Sequence, residues 1–281
     1  MPELSVTGRH PATLHYTDAG GDGRPVVLIH GWPLSGDMWA GAVAALSAAG
    51  YRPITYDRRG FGRSSKPEGG YNFEQFTADL SDLVEHLDLH DAVLVGFSMG
   101  GGEVATYVDL YGDLRLSGLV FAGSITPHLC ITDDDPDGAM PSGGFEGMMD
   151  WVAKDRDAFL DMFVRLFYSI STDDGSKLLA DEQTVQAGLA ITAQAGDTAL
   201  FEGIRTWMDD FRNALPKVSL PTLVVHGTGD QNVPFAAAAP RTFSAIPTAS
   251  LVAIEGAPHG MHVTHAGEFE GALLAFLAGL G

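Results

Sequence analysis

The chain has 281 residues, 45% hydrophobic and 19% charged, enough for one large domain or for a domain that carries an insertion. Its net charge is −20, with lysine only at Lys66, Lys154, Lys177 and Lys217; such a field repels nucleic acid and anionic membrane and excludes both as partners. No stretch approaches the ~20 apolar residues that span a bilayer, and residues 1–8 have neither the basic nor the apolar region of a secretory leader.

In chain order, residues 4–7 and 13–17 alternate as two antiparallel edge strands, and residues 18–23 are turn material. Residues 25–29 form a buried strand that ends in His30-Gly31-Trp32-Pro33. Residues 37–49 read as a helix closed by Gly50, and residues 51–56 as the next strand. Asp57-Arg58-Arg59-Gly60-Phe61-Gly62 has the glycines of a phosphate loop without its lysine and helix, so it reads as a loop bracing the sheet. A helix over residues 73–89 puts Leu80, Leu83, Val84 and Leu87 on one face.

Ala92-Val93-Leu94-Val95 then runs into Gly96-Phe97-Ser98-Met99-Gly100, which has the form G-x-S-x-G, and helical spacing follows it. Strand, tight turn and helix together make a nucleophile elbow. The turn strains the serine backbone, its glycine flanks let neighbouring chain pass close, and the hydroxyl emerges at the carboxyl end of a sheet. Ser98 is the expected nucleophile. The N–H of Met99, at the start of the helix, is an expected oxyanion donor.

After a strand over residues 116–122 the alternation stops. Residues 147–168, 176–194 and 197–215 read as amphipathic helices with no strand among them, and some of Met140, Met148, Met149, Phe163 and Phe167 are expected to line an apolar pocket. Cys130, the single cysteine, has no elbow around it and reads as packing; it leaves no internal disulfide and fits a reducing cytoplasm. Asp133, Asp135, Asp137 and Gly138 match the opening of a calcium loop, but Gly144 stands where its bidentate Glu belongs. The stretch reads as a solvated acidic loop, and no metal is expected.

Strand–helix alternation returns with a strand over 221–226, a helix over 235–246, a strand over 250–255 and a helix over 266–279. The expected fold is α/β: a mostly parallel sheet with helices on both faces, residues 1–123 and 217–281 forming the core and residues 124–216 an inserted helical cap.

A serine nucleophile needs a base and an orienter. His259, in Gly256-Ala257-Pro258-His259-Gly260, follows the last strand and is the candidate base, with His262 and His265 as rivals nearer the helix. Asp230 follows the penultimate strand in the order Ser…Asp…His and is the candidate orienter. His30 and His226 sit against strand ends and read as structural. Trp32 N–H is the expected second oxyanion donor, and its ring can line the acyl pocket. Pro33 restricts Trp32 to an extended conformation, which would hold the Trp32 N–H and carbonyl in fixed directions.

Over essentially its full length the chain resembles the α/β-hydrolase superfamily. Three stretches narrow the match: His30-Gly31-Trp32-Pro33-Leu34-Ser35-Gly36-Asp37-Met38-Trp39, Thr55-Tyr56-Asp57-Arg58-Arg59-Gly60-Phe61-Gly62-Arg63-Ser64, and Val95-Gly96-Phe97-Ser98-Met99-Gly100-Gly101-Gly102-Glu103-Val104-Ala105. With Gly256-Ala257-Pro258-His259-Gly260 they are similar to the cofactor-free (non-haem) haloperoxidases, or perhydrolases, and to the bacterial aryl esterases. The resemblance implies a Ser98–Asp230–His259 triad, an oxyanion hole from Trp32 and Met99, and no cofactor. It also implies hydrolysis of small esters and, with hydrogen peroxide, conversion of short carboxylic acids into peracids that oxidise halide. Trp32, Pro33, Met148, Phe163 and Phe167 are the substrate-pocket candidates. The expected partners are a small ester or carboxylic acid and hydrogen peroxide, with a homo-oligomer left open. A plain esterase or lactonase, and a ligand-sensing protein on the same scaffold, are the alternatives.

Overall fold

The computed structural model describes residues 2–281; Met1, the first residue of the stretch read for a leader, lies outside them. Strands β1 (Glu3–Val6) and β2 (Ala12–Asp18) pair antiparallel. Then come β3 (Pro25–Ile29), a 3-10 turn running into α1 (Ala40–Ala48), β4 (Arg52–Tyr56), α2 (Phe73–His86), β5 (Ala92–Phe97), α3 (Met99–Tyr111) and β6 (Leu116–Ala122). The middle of the chain holds β7 (Cys130–Ile131), β8 (Met140–Pro141), α4 (Ser142–Lys154), α5 (Arg156–Phe167), β9 (Ser169–Thr172), β10 (Gly175–Leu178), α6 (Glu182–Thr192) and α7 (Asp197–Arg205). Finally β11 (Thr222–Gly227), α8 (Phe235–Ala245), β12 (Ala249–Ile254), α9 (Met261–Thr264) and α10 (Ala266–Ala278) complete it.

One sheet runs in the order β1-β2-β4-β3-β5-β6-β11-β12, antiparallel at the β1 edge and parallel from β4 to β12. Val26–Ile29 in β3 and Val93–Val95 in β5 are fully buried. That is why these strands read as unbroken apolar runs: helices cover both faces of a parallel sheet. α2 packs on α3 and α1 on α10, forming the two helical layers. The chain passes from β3 to β4 on one side and returns to pair β5 on the other side of β3. The carboxyl ends of β3 and β5 therefore flank a topological switch point, where such sheets open a crevice. No helix among the described residues is long and apolar enough to cross a membrane.

The expectation of no strand within residues 124–216 is corrected: four short strands occur there, as the pairs β7/β8 and β9/β10, both apart from the main sheet. β10 is exposed throughout and β9 at Ser171 and Thr172, leaving no apolar alternation to read. The expected helix over 147–168 is two helices, because Asp155 leaves helical geometry and its side chain accepts the Ala158 N–H, capping α5. The helix expected from residue 176 starts at Glu182, where Asp181 caps it through the Thr184 N–H.

The acidic loop is exposed at Asp133, Asp134 and Asp137, as expected of a solvated loop, but not at Asp135. Asp135 is buried, taking a hydrogen bond from Arg241 and pairing with His128 Nδ1 at 2.8 Å, while Arg212 binds Asp134. Residues 57–62 brace the sheet as expected. Arg58 pairs with Glu103 of α3 at 2.7 Å and Arg59 with Asp79 of α2 at 2.6 Å, all four side chains being buried. Tyr56 donates its hydroxyl to Glu103 as well. Two buried cations and two buried carboxylates thus tie the helices behind the elbow to the end of β4.

Candidate active site

Ser98 occupies the turn between β5 and α3 with φ +54°, the left-handed region that costs a non-glycine residue of order 1–3 kcal/mol. The strain is held from both sides. Ser98 N–H donates to the Ala122 carbonyl at 2.9 Å, and its carbonyl accepts from Gly101 at 2.9 Å. Packing across the turn demands glycine: a Cβ on Gly96 would meet the Gly100 carbonyl oxygen at 2.4 Å, and one on Gly100 would meet that of Ile29 at 2.7 Å. Met99 opens α3, where first-turn N–H groups have no intrahelical acceptor.

The loop after β3 lies against this turn, since a Cβ on Gly31 would stand 2.9 Å from the Ser98 Cβ. His30 anchors that loop. Its Nδ1 bonds the Gly31 carbonyl at 2.9 Å and its Nε2 accepts the Arg58 N–H at 2.9 Å, which fixes the tautomer with the proton on Nδ1. Complete burial, with the Arg58 charge beside it, pushes the His30 pKa well below its ordinary value, so the ring stays neutral. The Trp32–Pro33 peptide bond is cis.

Asp230 and His259 come from the loops after β11 and β12. Asp230 Oδ1 accepts the N–H groups of Asn232 and Val233 at 2.9 and 2.8 Å, and Oδ2 stands 2.6 Å from His259 Nδ1. Burial raises the Asp230 pKa, but the positive end of His259 and hydrogen bonding from His226 outweigh it and bring it down to about 2. The ionised carboxylate calls for a proton on His259 Nδ1, which leaves Nε2 unprotonated and able to accept one. Phe97 and Phe167 hold the His259 ring, each with its centroid 4.8 Å away. The β9/β10 hairpin and the end of α5 buttress these loops: Ser171 of β9 bonds Gln231, and Gly260 N–H donates to the carbonyl of Phe167 of α5 at 2.7 Å.

Ser98 and His259 line one cavity of roughly 130 Å³, and Ile125, Leu129, Phe145, Phe159 and Trp207 make much of its apolar wall. Met140, Met148 and Phe163, all among the residues expected there, line it. Trp32, Pro33, Phe167 and Met149 do not. The Trp32 ring lies behind the wall, edge-on to Phe163 and Trp207, with its Nε1 donating to the Leu200 carbonyl at 3.1 Å. Phe167 instead supports His259, and Met149 is buried in the core. Among the rival bases, His262 lies among Trp39, Phe97 and Phe167 outside this cavity; burial and the nearby His259 bring its pKa down to about 3. His265 bonds Thr264 at the start of α10.

His226, expected to be structural, instead touches the site at Asp230. His226 Nε2 lies 3.1 Å from Asp230 Oδ2 and 2.9 Å from the Val233 carbonyl oxygen. Both neighbours accept, so Nε2 carries the proton and donates. The signal was the i, i+4 spacing of His226 and Asp230 across the end of β11, which becomes a contact only because the intervening glycines fold the loop back. Among the described residues no group of three or more His, Cys, Asp or Glu is placed to hold a metal ion.

The alpha/beta hydrolase fold family matches residues 24–266. A non-heme chloroperoxidase of Kitasatospora aureofaciens is 39% identical, the match covering 91% of each chain. A bifunctional esterase/perhydrolase of Acinetobacter calcoaceticus is 33% identical over 97% of this chain and 98% of its own. Among solved structures, a bromoperoxidase from Bacillus anthracis is similar with a TM-score of 0.92 at 44% identity, covering 99% of this chain and 100% of that one.

Proposed function

The chain belongs to the α/β-hydrolase family, in the group of the non-heme haloperoxidases, and from that premise we propose that it hydrolyses small carboxylic esters through an acyl-enzyme on Ser98 and, with hydrogen peroxide, forms peracids. The observation that carries this reading is the 2.6 Å pairing of Asp230 with His259, beside a cavity that His259 shares with Ser98. His259 Nε2 takes the Ser98 proton as the hydroxyl attacks the ester carbonyl, and returns it to the leaving alcohol. Asp230 holds the ring in the required tautomer and stabilises the imidazolium. The N–H groups of Met99 and Trp32 receive the oxyanion. Water then releases the acid, or hydrogen peroxide releases a peracid, which oxidises halide in solution with no bound cofactor.

The size of the cavity sets the substrate class. An apolar cavity of ~150 Å³ in another protein holds benzene, so the space here suits a short-chain or single-ring acyl group. Residues 1–123 and 217–281 act as the catalytic core, and residues 124–216 act as the cap that closes over the acyl group. The related bifunctional esterase/perhydrolase supports keeping both reactions together. The test follows halogenation of monochlorodimedone with bromide, acetate and peroxide, alongside hydrolysis of a p-nitrophenyl ester. Both rates should stand well above those of Ser98→Ala. Ester hydrolysis without halogenation would leave a plain esterase, and the absence of both activities would overturn the proposal.

A further inference from the structure

Three of the nine methionines, Met140, Met148 and Met162, line the cavity that holds Ser98 and His259. All three are partly exposed there, whereas Met99 and Met261 are fully buried, Met38 and Met149 are buried, and Met208 is partly exposed away from the cavity. Thioethers are the most readily oxidised groups of this wall, and the phenyl rings beside them resist the same reagents.

We propose that Met140, Met148 and Met162 are sites of turnover-driven oxidation, converted to sulfoxides by the peracid released at Ser98. This rests on the perhydrolase reading above. In the step, the methionine sulfur attacks the terminal peroxy oxygen and an S–O bond forms as the O–O bond breaks. The sulfur gives up an electron pair to the peroxide, and the proton on the transferred oxygen passes to the departing carboxylate, which leaves as the carboxylic acid. The acid is regenerated, so each cycle consumes one hydrogen peroxide and one thioether and yields water and a sulfoxide. Confinement makes this faster than attack from solution. One peracid molecule in roughly 130 Å³ corresponds to a concentration on the order of 10 M while it remains there. Each sulfoxide places a strong dipole in an apolar wall, so the cavity loses affinity for apolar acyl groups as it works.

Peptide mass spectrometry after incubation with acetate and hydrogen peroxide tests this, with the bulk peracid measured in the same samples. Wild type is compared with Ser98→Ala under the same conditions, and with wild type given external peracetic acid at the measured bulk level. Expected is sulfoxide formation at Met140, Met148 and Met162 about tenfold faster in the turnover sample than in either control, with Met208 oxidised equally under turnover and external peracid. If peracid accumulates but the three cavity methionines oxidise no faster than under external peracid, the inference fails while the perhydrolase reading stands. If no peracid forms, both fail.

Discussion

A single oxygen of Asp230, Oδ2, stands 2.6 Å from Nδ1 of His259 and 3.1 Å from Nε2 of His226. Two imidazoles therefore share one buried carboxylate oxygen, and only one of them lines the cavity with Ser98. If the proposed triad operates, His226 acts through Asp230 as a positioning residue. His226→Phe removes a hydrogen bond to a charged group, worth about 1.5–3 kcal/mol. In steady-state ester kinetics it should lower kcat at least about tenfold with little change in KM, because the acyl pocket is untouched. His226→Gln, which keeps a donor, should restore most of the loss. Equal damage from both variants, or a change confined to KM, would assign His226 a packing role alone.

The pH dependence of stability reports on the same carboxylate. Asp230 titrates at about 2 against an ordinary 3.8, so its ionised form contributes stability that is fully present above the ordinary value and is lost as the pH falls through the depressed one. Asp230→Asn removes that contribution. Urea unfolding of wild type and variant should show a constant gap above about pH 5 that narrows steadily below about pH 4. A gap that held constant down to pH of about 3 would contradict the depressed value.

The pairing of Arg58 with Glu103 is a second buried charge pair, joined by Tyr56 and set behind the elbow. Removing one partner leaves the other uncompensated, so Glu103→Leu should destabilise the fold by about 3–5 kcal/mol. The double variant Arg58→Met with Glu103→Leu should recover much of that loss, since an apolar pair of similar volume spares the desolvation. Chemical denaturation of the three proteins provides the comparison. Additive losses in the double variant would contradict this reading.

The shape of the cavity yields a specificity prediction. Met148 of α4 lines it and is partly exposed, so Met148→Ala should widen the acyl site while costing less stability than the about 2–5 kcal/mol of a fully buried truncation. Across a p-nitrophenyl ester series, kcat/KM should shift toward longer acyl chains by about tenfold, the worth of one or two methylenes. An unchanged chain-length profile would place the acyl group elsewhere.

These sites were not equally legible in the sequence. The elbow was, because its strained serine, flanking glycines, strand and helix are contiguous in residues 92–111. Asp230 and His259 could be located because each directly follows a strand of a parallel sheet, and such strands read as apolar runs. The β9/β10 hairpin was not legible: its side chains are mostly exposed, so period-two alternation is missing, and only Asp173-Asp174-Gly175 marks the turn. Nor could the burial of Asp135 be read, since its partners are at 128 and 241. Trp32 illustrates the same limit. Its place beside Gly31 was clear, but which way the ring turns depends on Phe163, Trp207 and Leu200, far along the chain.

The central claim is that Ser98 is the nucleophile, and one rate comparison tests it most directly. Hydrolysis of p-nitrophenyl acetate is followed for wild type and for Ser98→Ala, with circular dichroism confirming that the variant is folded. Loss of the hydroxyl should lower kcat by on the order of 10³ or more, since the remaining oxyanion donors and binding sustain only a residue of catalysis. A folded Ser98→Ala that kept most of its turnover would contradict the account.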